Sequence, residues 1–286
     1  MSHELSAISG TNYLMSYMRY LNNRIKKESL YHKRFRKMQQ IIQQQSLDTY
    51  FQPIIHLKNG ETIGYEVFNR PEQSKLFPNT EIFYDFVGQT DQAFIFDYFC
   101  RNISIQRFVI RAPQEKVESG VLLFINIHPH VLLDSNYHSG ETLSLLQEFG
   151  LDPKNVVLEL TEKSAVTDFV QFEKVLSNYR AQGYRIAVDD VGSGYNSLKT
   201  LVYLKPEFIK LDRSLIQYID QNVEQQELVS LIMGFAEKTG TRIIAEGVER
   251  AEELEYIRNQ GADYAQGYAI GRPKQEIDPG RIPEMV

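Results

Sequence analysis

Two adjacent carboxylates, Asp189 and Asp190, end an apolar run (Ile186, Ala187, Val188) and are followed at once by Gly192-Ser193-Gly194. Adjacent residues on a strand point to opposite faces, so both aspartates can reach one site only where the strand is ending. Like charges so placed repel unless something cationic sits between them. A solvated turn accounts for the pair equally well, since Asp and Gly are common turn residues. The same kind of residue recurs near the ends of other apolar runs: Glu66, Asn126, Glu159, Glu246 and Gln266, with Lys210 and Asp212 on one more. Any one of them is an ordinary turn-side polar group, but so many runs sharing the placement point to a common site. Five carboxylates (Glu66, Glu159, Asp189, Asp190, Glu246) against one Lys210 leave such a site near −4. At an effective dielectric of about 20, two of these charges about 4 Å apart cost roughly 4 kcal/mol. Divalent cations relieve that repulsion, and all-oxygen donors favour Mg²⁺ or Mn²⁺ over Zn²⁺.

A hard-metal site beside a lysine suits phosphate-ester chemistry, where two metals about 3.5–4 Å apart activate a water and steady the leaving oxygen. Asp189 is placed to bridge them and Asp190 to reach the second. Lys210 is suited either to orient the water or to neutralise charge on the phosphoryl group. Glu246 is suited to accept a proton or to ligate, and the sequence leaves both roles open.

The elements that must position these residues follow a regular order. TYFQPIIHL (49–57) and ETIGYEVFNR (61–70) are strand-like and meet at Lys58-Asn59-Gly60, so they form an antiparallel hairpin. Six further strands are expected at 121–127, 155–161, 185–190, 206–212, 241–247 and 262–268, with helices between them such as 164–182, 222–239 and 250–260. Eight strands with intervening helices in about 240 residues fit a TIM-type (β/α)8 barrel of the α/β class, whose chemistry sits at the C-terminal strand ends. An open doubly wound sheet is the competing architecture. No GxGxxG or P-loop pattern follows any strand, which speaks against a nucleotide cofactor.

Charge divides the chain into a basic helical segment, 1–46, and a barrel domain, 47–286. Residues 1–46 hold eight Lys or Arg against Glu4 and Glu28, a balance of +6, so the remainder of a chain of net charge −6 carries −12. So acidic a body is a poor nucleic-acid surface. In the basic segment Leu14, Met18, Leu21 and Ile25 recur at 4-3-4 spacing, which predicts a helix that packs or dimerises rather than a long coiled coil. Glu28 and His32 interrupt the stripe before Phe35 and Met38 resume it. A membrane surface, an acidic protein partner or, less readily given so acidic a body, a nucleic acid would also suit its charge. There is no run of 18 apolar residues and no signal-peptide pattern, and the single cysteine, Cys100, excludes an internal disulfide framework. A cytoplasmic location is the expectation.

The ordered motifs FQPI (51–54), GYEVFNR (64–70), INI (125–127), LELTE (158–162), VDDVGSGYNSL (188–198), IKLDRS (209–214), AEGVE (245–249) and QGY-x₃-GRP (266–273) resemble those of the EAL-domain cyclic di-GMP phosphodiesterases over about residues 48–275. The resemblance implies a barrel with one antiparallel strand and Mg²⁺- or Mn²⁺-dependent cleavage of cyclic di-GMP to linear pGpG, with two ions per site. It implies that Glu66, Asn126, Glu159 and Asp189 are metal ligands, with Asp190 serving the second ion. It further implies that Lys210 and Glu246 are catalytic and that Gln52, Arg70 and Gln266 meet the substrate. Glu162 resembles the residue that holds loop 191–198, with Asp212 and Glu249 supporting the site. A homodimer through the loop after strand five and residues 14–38 is expected.

Three departures stand out. Val67-Phe68 follow Glu66 where the family has Ala-Leu, and Val191 replaces the phenylalanine after the paired aspartates, removing an aromatic anchor. Residues 71–120 lack the familiar pattern and are read as a lid or surface insert. His128 and His130 are expected to be structural loop residues, because oxygen ligands suffice. The alternative to an active enzyme is a catalytically weak or inactive receptor that binds cyclic di-GMP and signals through the N-terminal helix; a phosphodiesterase for another nucleotide is a third reading.

Overall fold

A turn at Lys58-Asn59-Gly60 reverses the chain between β1 (Leu47–His56) and β2 (Thr62–Pro71). Gly60 supplies φ = 76°, and the His56 N–H donates to Glu61 O at 2.8 Å. The computed structural model describes residues 2–127, 141–161, 169–193 and 197–283. The remaining strands are β3 (Leu122–Asn126), β4 (Val156–Thr161), β5 (Arg185–Val191), β6 (Phe208–Leu211), β7 (Arg242–Ala245) and β8 (Tyr264–Ala265). They close in the order β1 to β8 into a barrel. Strands β2 through β8 pair in parallel, while β1 runs antiparallel to β8. The strand expected at 262–268 shortens to two residues, leaving Gln266 just past its end.

The chain forms two compact units, residues 1–47 with 71–89, and residues 48–70 with 90–286. In the first, α1 (Ser2–Gln44) is one continuous helix, so Glu28 and His32 interrupt its apolar stripe without ending it. Arg34 Nε donates to Leu76 O at 3.1 Å, and its guanidinium lies 5.5 Å over the Phe77 ring. Tyr31 packs on Phe86 of α2 (Thr80–Gly88) with ring centroids 5.3 Å apart. Further up the helix Leu14, Met18 and Ile25 are exposed.

In the second unit the region read as an insert is corrected in part: Ala93–Arg111 forms α3, the crossover helix between β2 and β3. It buries Phe94, Phe96, Ile103, Ile105 and Phe108. Its buried face also holds Arg101, whose Nε stands 2.9 Å from Asp97 Oδ2 and whose Nη1 donates to Thr142 and Tyr179. The other α-helices among the described residues are α4 (Gln114–Glu118), α5 (Glu141–Glu148), α6 (Phe169–Ala181), α7 (Ser197–Leu204), α8 (Arg213–Ile216), α9 (Val223–Thr239) and α10 (Ala251–Asn259). Of these, α6, α7, α9 and α10 are crossover helices between successive strands.

The barrel is filled by a separate buried cluster of Ile54, Leu122, Phe124, Val157, Ala187, Phe208 and Ile244, with Tyr264 against it. Gly64 leaves room for this filling, since a Cβ there would stand 2.6 Å from Leu122 O and 3.0 Å from the Phe124 ring. Side chains alternate with period two along a strand. Two residues beyond Phe124, Val157, Ala187, Phe208, Ile244 and Tyr264 therefore come Asn126, Glu159, Asp189, Lys210, Glu246 and Gln266. Glu66 stands two beyond Gly64, and on the reversed β1 Gln52 stands two before Ile54. The filling fixes where the polar layer above it must lie.

Candidate active site

Lys210 is fully buried and sits at the centre of that layer. Its Nζ is 2.7 Å from Glu159 Oε1, 2.7 Å from Glu246 Oε1, 3.1 Å from Glu66 Oε2 and 3.3 Å from Asp189 Oδ1. Burial alone would pull the lysine pKa down, but Asp189, Glu159, Glu246 and Glu66 outweigh it and hold the group well above its usual value. Burial, reinforced by Glu66 and Asp189, raises Glu159 well above the carboxylate range despite Lys210. Burial and Asp189 do the same to Glu246.

Glu66 is held from both sides. Asn126 Nδ2 donates to its Oε1 at 3.2 Å, and Gln266 Nε2 donates to its Oε2 at 2.7 Å. Gln266 also donates to Gln52 Oε1 at 3.0 Å, and Gln52 donates to Gly271 O at 2.9 Å. These amides tie β1, β2, β3 and the segment after β8 into one polar layer.

The paired aspartates converge by a device other than a simple strand end. The β5–β6 register shifts between Val188 and Val191, a bulge that contains both residues, and Asp190 has φ = 57°. A bulge re-aims side chains that plain alternation would send to opposite faces. Asp190 N–H then donates to Asp189 Oδ1 at 3.0 Å. Val191 is fully buried and pairs in register with Leu211, so its side chain belongs to the core.

Two groups of carboxylate oxygens result, each within 4.8 Å: Glu66, Glu159 and Asp189, and Asp189, Asp190 and Glu246. They share Asp189. Glu159 Oε2 is buried with no hydrogen-bond partner among the described residues. A buried carboxylate oxygen so placed is a ready ligand, and the all-oxygen donor set fits a hard divalent cation. Above the groups opens a cleft of about 320 Å³, lined by Gln52, Glu66, Asp189, Asp190, Glu246 and Gln266 together with residues from the strand-end loops.

Arg70 stands apart from this lining; it is exposed, with its guanidinium 4.9 Å over the Tyr50 ring. Asp212 lines the cleft and caps the short helix α8 (Arg213–Ile216) through Ser214 N–H, at 2.9 Å. Glu249 also lines it and pairs with Arg213 at 3.1 Å. Glu162, His128 and His130 lie outside the described residues. Sequence reasoning gave no role to Arg213 or Tyr268, both cleft-lining. Their signal was adjacency: each sits inside a motif already quoted, and Tyr268 carries the Arg272 guanidinium 4.3 Å from its ring centroid.

The chain belongs to the EAL domain family, whose model matches residues 35–273. The cyclic di-GMP phosphodiesterase RocR of Pseudomonas aeruginosa is 28% identical over 232 residues, 80% of this chain and 58% of RocR. The EAL enzyme Bd1971, solved with cAMP and cyclic di-GMP bound, matches with a TM-score of 0.77 at 25% identity, covering 87% of this chain and 68% of that one. BlrP1 of Klebsiella pneumoniae, solved with calcium and cyclic di-GMP, matches with a TM-score of 0.72 at 26% identity, covering 83% and 58%. The chain spans less than two thirds of the length of the curated relatives it matches, 58% of RocR being an example. Among the described residues no helix is long and apolar enough to cross a membrane.

Proposed function

We propose that this chain is a divalent-metal-dependent phosphodiesterase that opens one phosphodiester of cyclic di-GMP to linear pGpG. The observation that carries the reading is the pair of carboxylate groups sharing Asp189 around Lys210 at the floor of an open cleft. Relatives named as cyclic di-GMP phosphodiesterases and EAL structures holding that nucleotide support the substrate.

In this reading Glu66, Asn126, Glu159 and Asp189 would hold a first Mg²⁺ or Mn²⁺, and Asp190 would serve a second. When bound, the cations supply a nucleophilic water at neutral pH and charge stabilisation for the displacement at phosphorus. Glu246, 2.7 Å from Lys210 Nζ and raised well above its usual value by burial and Asp189, takes a proton from the attacking water. Lys210 stays protonated and faces the charge that develops on the phosphoryl oxygens. Gln52 and Gln266 orient the nucleotide over the carboxylates, and Arg70 meets it from outside that layer. The acidic body, the basic segment 1–46 as a contact for a second copy, a protein partner or a membrane surface, and a cytoplasmic setting complete the proposal.

The test is incubation of the purified chain with cyclic di-GMP and Mg²⁺ or Mn²⁺, beside Lys210→Ala and a chelator control. The expected result is pGpG from the wild type alone. Tight nucleotide binding without pGpG would overturn the enzyme reading and leave a receptor.

A further inference from the structure

Glu253 lies in the first turn of α10, outside the cleft, yet its side chain is 1% exposed. Oε1 accepts the Tyr218 N–H at 2.9 Å, and Oε2 accepts the N–H groups of Glu249 and Arg250 at 3.0 and 3.1 Å. Three backbone donors from two separate loops thus converge on one buried carboxylate. The first loop, after β7, begins at Glu246 and is stitched to the segment after β8 by Val248 N–H on Gln266 O at 3.1 Å. The second follows α8, which carries Leu215; a Cβ added at Gly192 would stand 2.3 Å from the Leu215 Cδ1, so α8 lies hard against the turn after the paired aspartates. Tyr218 itself has φ = 60°, a conformation that a tyrosine keeps only when its surroundings impose it. The Arg250 guanidinium lies 5.1 Å over the same tyrosine ring and pairs with Asp220 at 2.9 Å, so Glu253 sits beneath a second tie between the two loops.

We infer that Glu253 is a positioning residue: its two oxygens lock the loop carrying Glu246 to the loop after α8, so the Glu246 loop is held as one body with α8, whose N-terminal Asp212 and Arg213 line the cleft. The carboxylate form matters, since all three partners are donors. A glutamine would turn an NH₂ toward one of them, and an aspartate would be a methylene too short to span both loops. An unsatisfied buried N–H is costly, so loss of the acceptor releases both loops.

The inference rests on the phosphodiesterase reading only for its effect on turnover, and the experiment separates the two. Amide hydrogen exchange read by mass spectrometry is measured on the full chain, wild type and Glu253→Gln, with Glu253→Ala as a second variant. Segments 214–222 and 246–252 are expected to exchange about tenfold faster together, with strand segments 185–191 and 208–211 unchanged. Mn²⁺ affinity by calorimetry should weaken in step. In turnover, kcat should fall about tenfold with KM for cyclic di-GMP within about twofold, Gln being milder than Ala. Acceleration in only one loop, in neither, or equally across the strands would overturn the role. A wild type that makes no pGpG would overturn the enzymatic reading alone, and the exchange result would still decide on Glu253.

Discussion

Lys210 Nζ stands 2.7 Å from Glu159 Oε1, and both side chains are completely withdrawn from solvent. An ammonium and a carboxylate buried together at the centre of a barrel are expensive to desolvate, and hydrophobic replacements would serve the fold as well. What the pair does here is keep a cluster of carboxylates together. Glu246, Glu66 and Asp189 complete the shell around the same ammonium at 2.7, 3.1 and 3.3 Å. The lysine is the internal counter-charge that lets the layer fold before any cation enters.

Removal of that counter-charge should be felt first as stability. Lys210→Met leaves buried carboxylates facing each other, and breaking a buried pair costs about 3–5 kcal/mol. The cation-free variant should melt lower by on the order of 10 °C, with added Mn²⁺ raising its Tm more than that of the wild type. Scanning calorimetry with and without Mn²⁺ measures both shifts. Equal shifts in the two proteins would contradict the counter-charge role. Phosphodiester cleavage should be lost in the variant under every condition.

The raised carboxyls make both stability and cation affinity depend on pH. Burial and neighbouring carboxylates raise Glu159 and Glu246 well above their usual value. A group whose folded pKa lies above its unfolded one stabilises fully below the unfolded value and loses that contribution as pH rises through the folded value. The cation-free protein should therefore lose Tm as pH climbs from about 4.3 through the raised range. Lys210 is also raised, so its contribution persists until pH passes beyond the usual lysine value of about 10.4. A divalent cation needs the carboxyls ionised, so its affinity should rise with pH over the carboxyl window and its binding should release protons. Titration calorimetry of Mn²⁺ in buffers of different ionisation heat reads that release directly; heats independent of buffer would contradict it.

Much of this site is legible in the chain because strands alternate with period two. A filling residue such as Phe208 or Val157 marks the face, and the polar residue two positions on, Lys210 or Glu159, must share it. The Asn59-Gly60 turn likewise announces the one reversed strand. The bulge at Asp189 and Asp190 is not legible, since it is a mismatch of register between β5 and β6 and arises only when distant segments pair. Helix α3 is masked for a different reason: Asp97 and Arg101 stand on its buried face and read as surface charge until each is seen to satisfy the other. Glu253 is one acid among four in AEELE and its flank, and only its three backbone partners distinguish it.

Gly267 offers a test of how closely the two late strand-end loops must meet. A Cβ there would stand 2.1 Å from Val248 O and 2.3 Å from Val248 N, which are backbone atoms with no rotamer to yield. Gly267→Ala must therefore part the loops, straining Val248 N–H on Gln266 O and Ala269 N–H on Val248 O. Gln266 would lose its register against Glu66 and Gln52. The expected outcome is a folded protein with cyclic di-GMP affinity weakened about tenfold, from the loss of one to two well-placed hydrogen bonds. Titration calorimetry with the nucleotide checks it, and unchanged affinity would show that the loops are looser than the packing implies.

The Asp97–Arg101 pair on α3 should behave in the opposite way, governing stability without touching chemistry. Arg101 is 2% exposed and donates to Thr142 and Tyr179 as well as pairing with Asp97. Asp97 holds its guanidinium pKa above the usual value although burial opposes it. Arg101→Met takes the guanidinium away from buried Asp97 and from the hydroxyls of Thr142 and Tyr179, and should destabilise by about 3–5 kcal/mol. Asp97→Leu with Arg101→Met removes both charges at once and should recover at least half of that loss, because no uncompensated ion remains. Denaturant unfolding of the single and double variants measures the coupling. If the double variant is as unstable as the sum of the singles, the pair contributes through packing and not through mutual neutralisation. In either case turnover by the folded fraction should match the wild type, since this pair joins α3 to Thr142 and Tyr179 of neighbouring helices, with no member in the cleft lining.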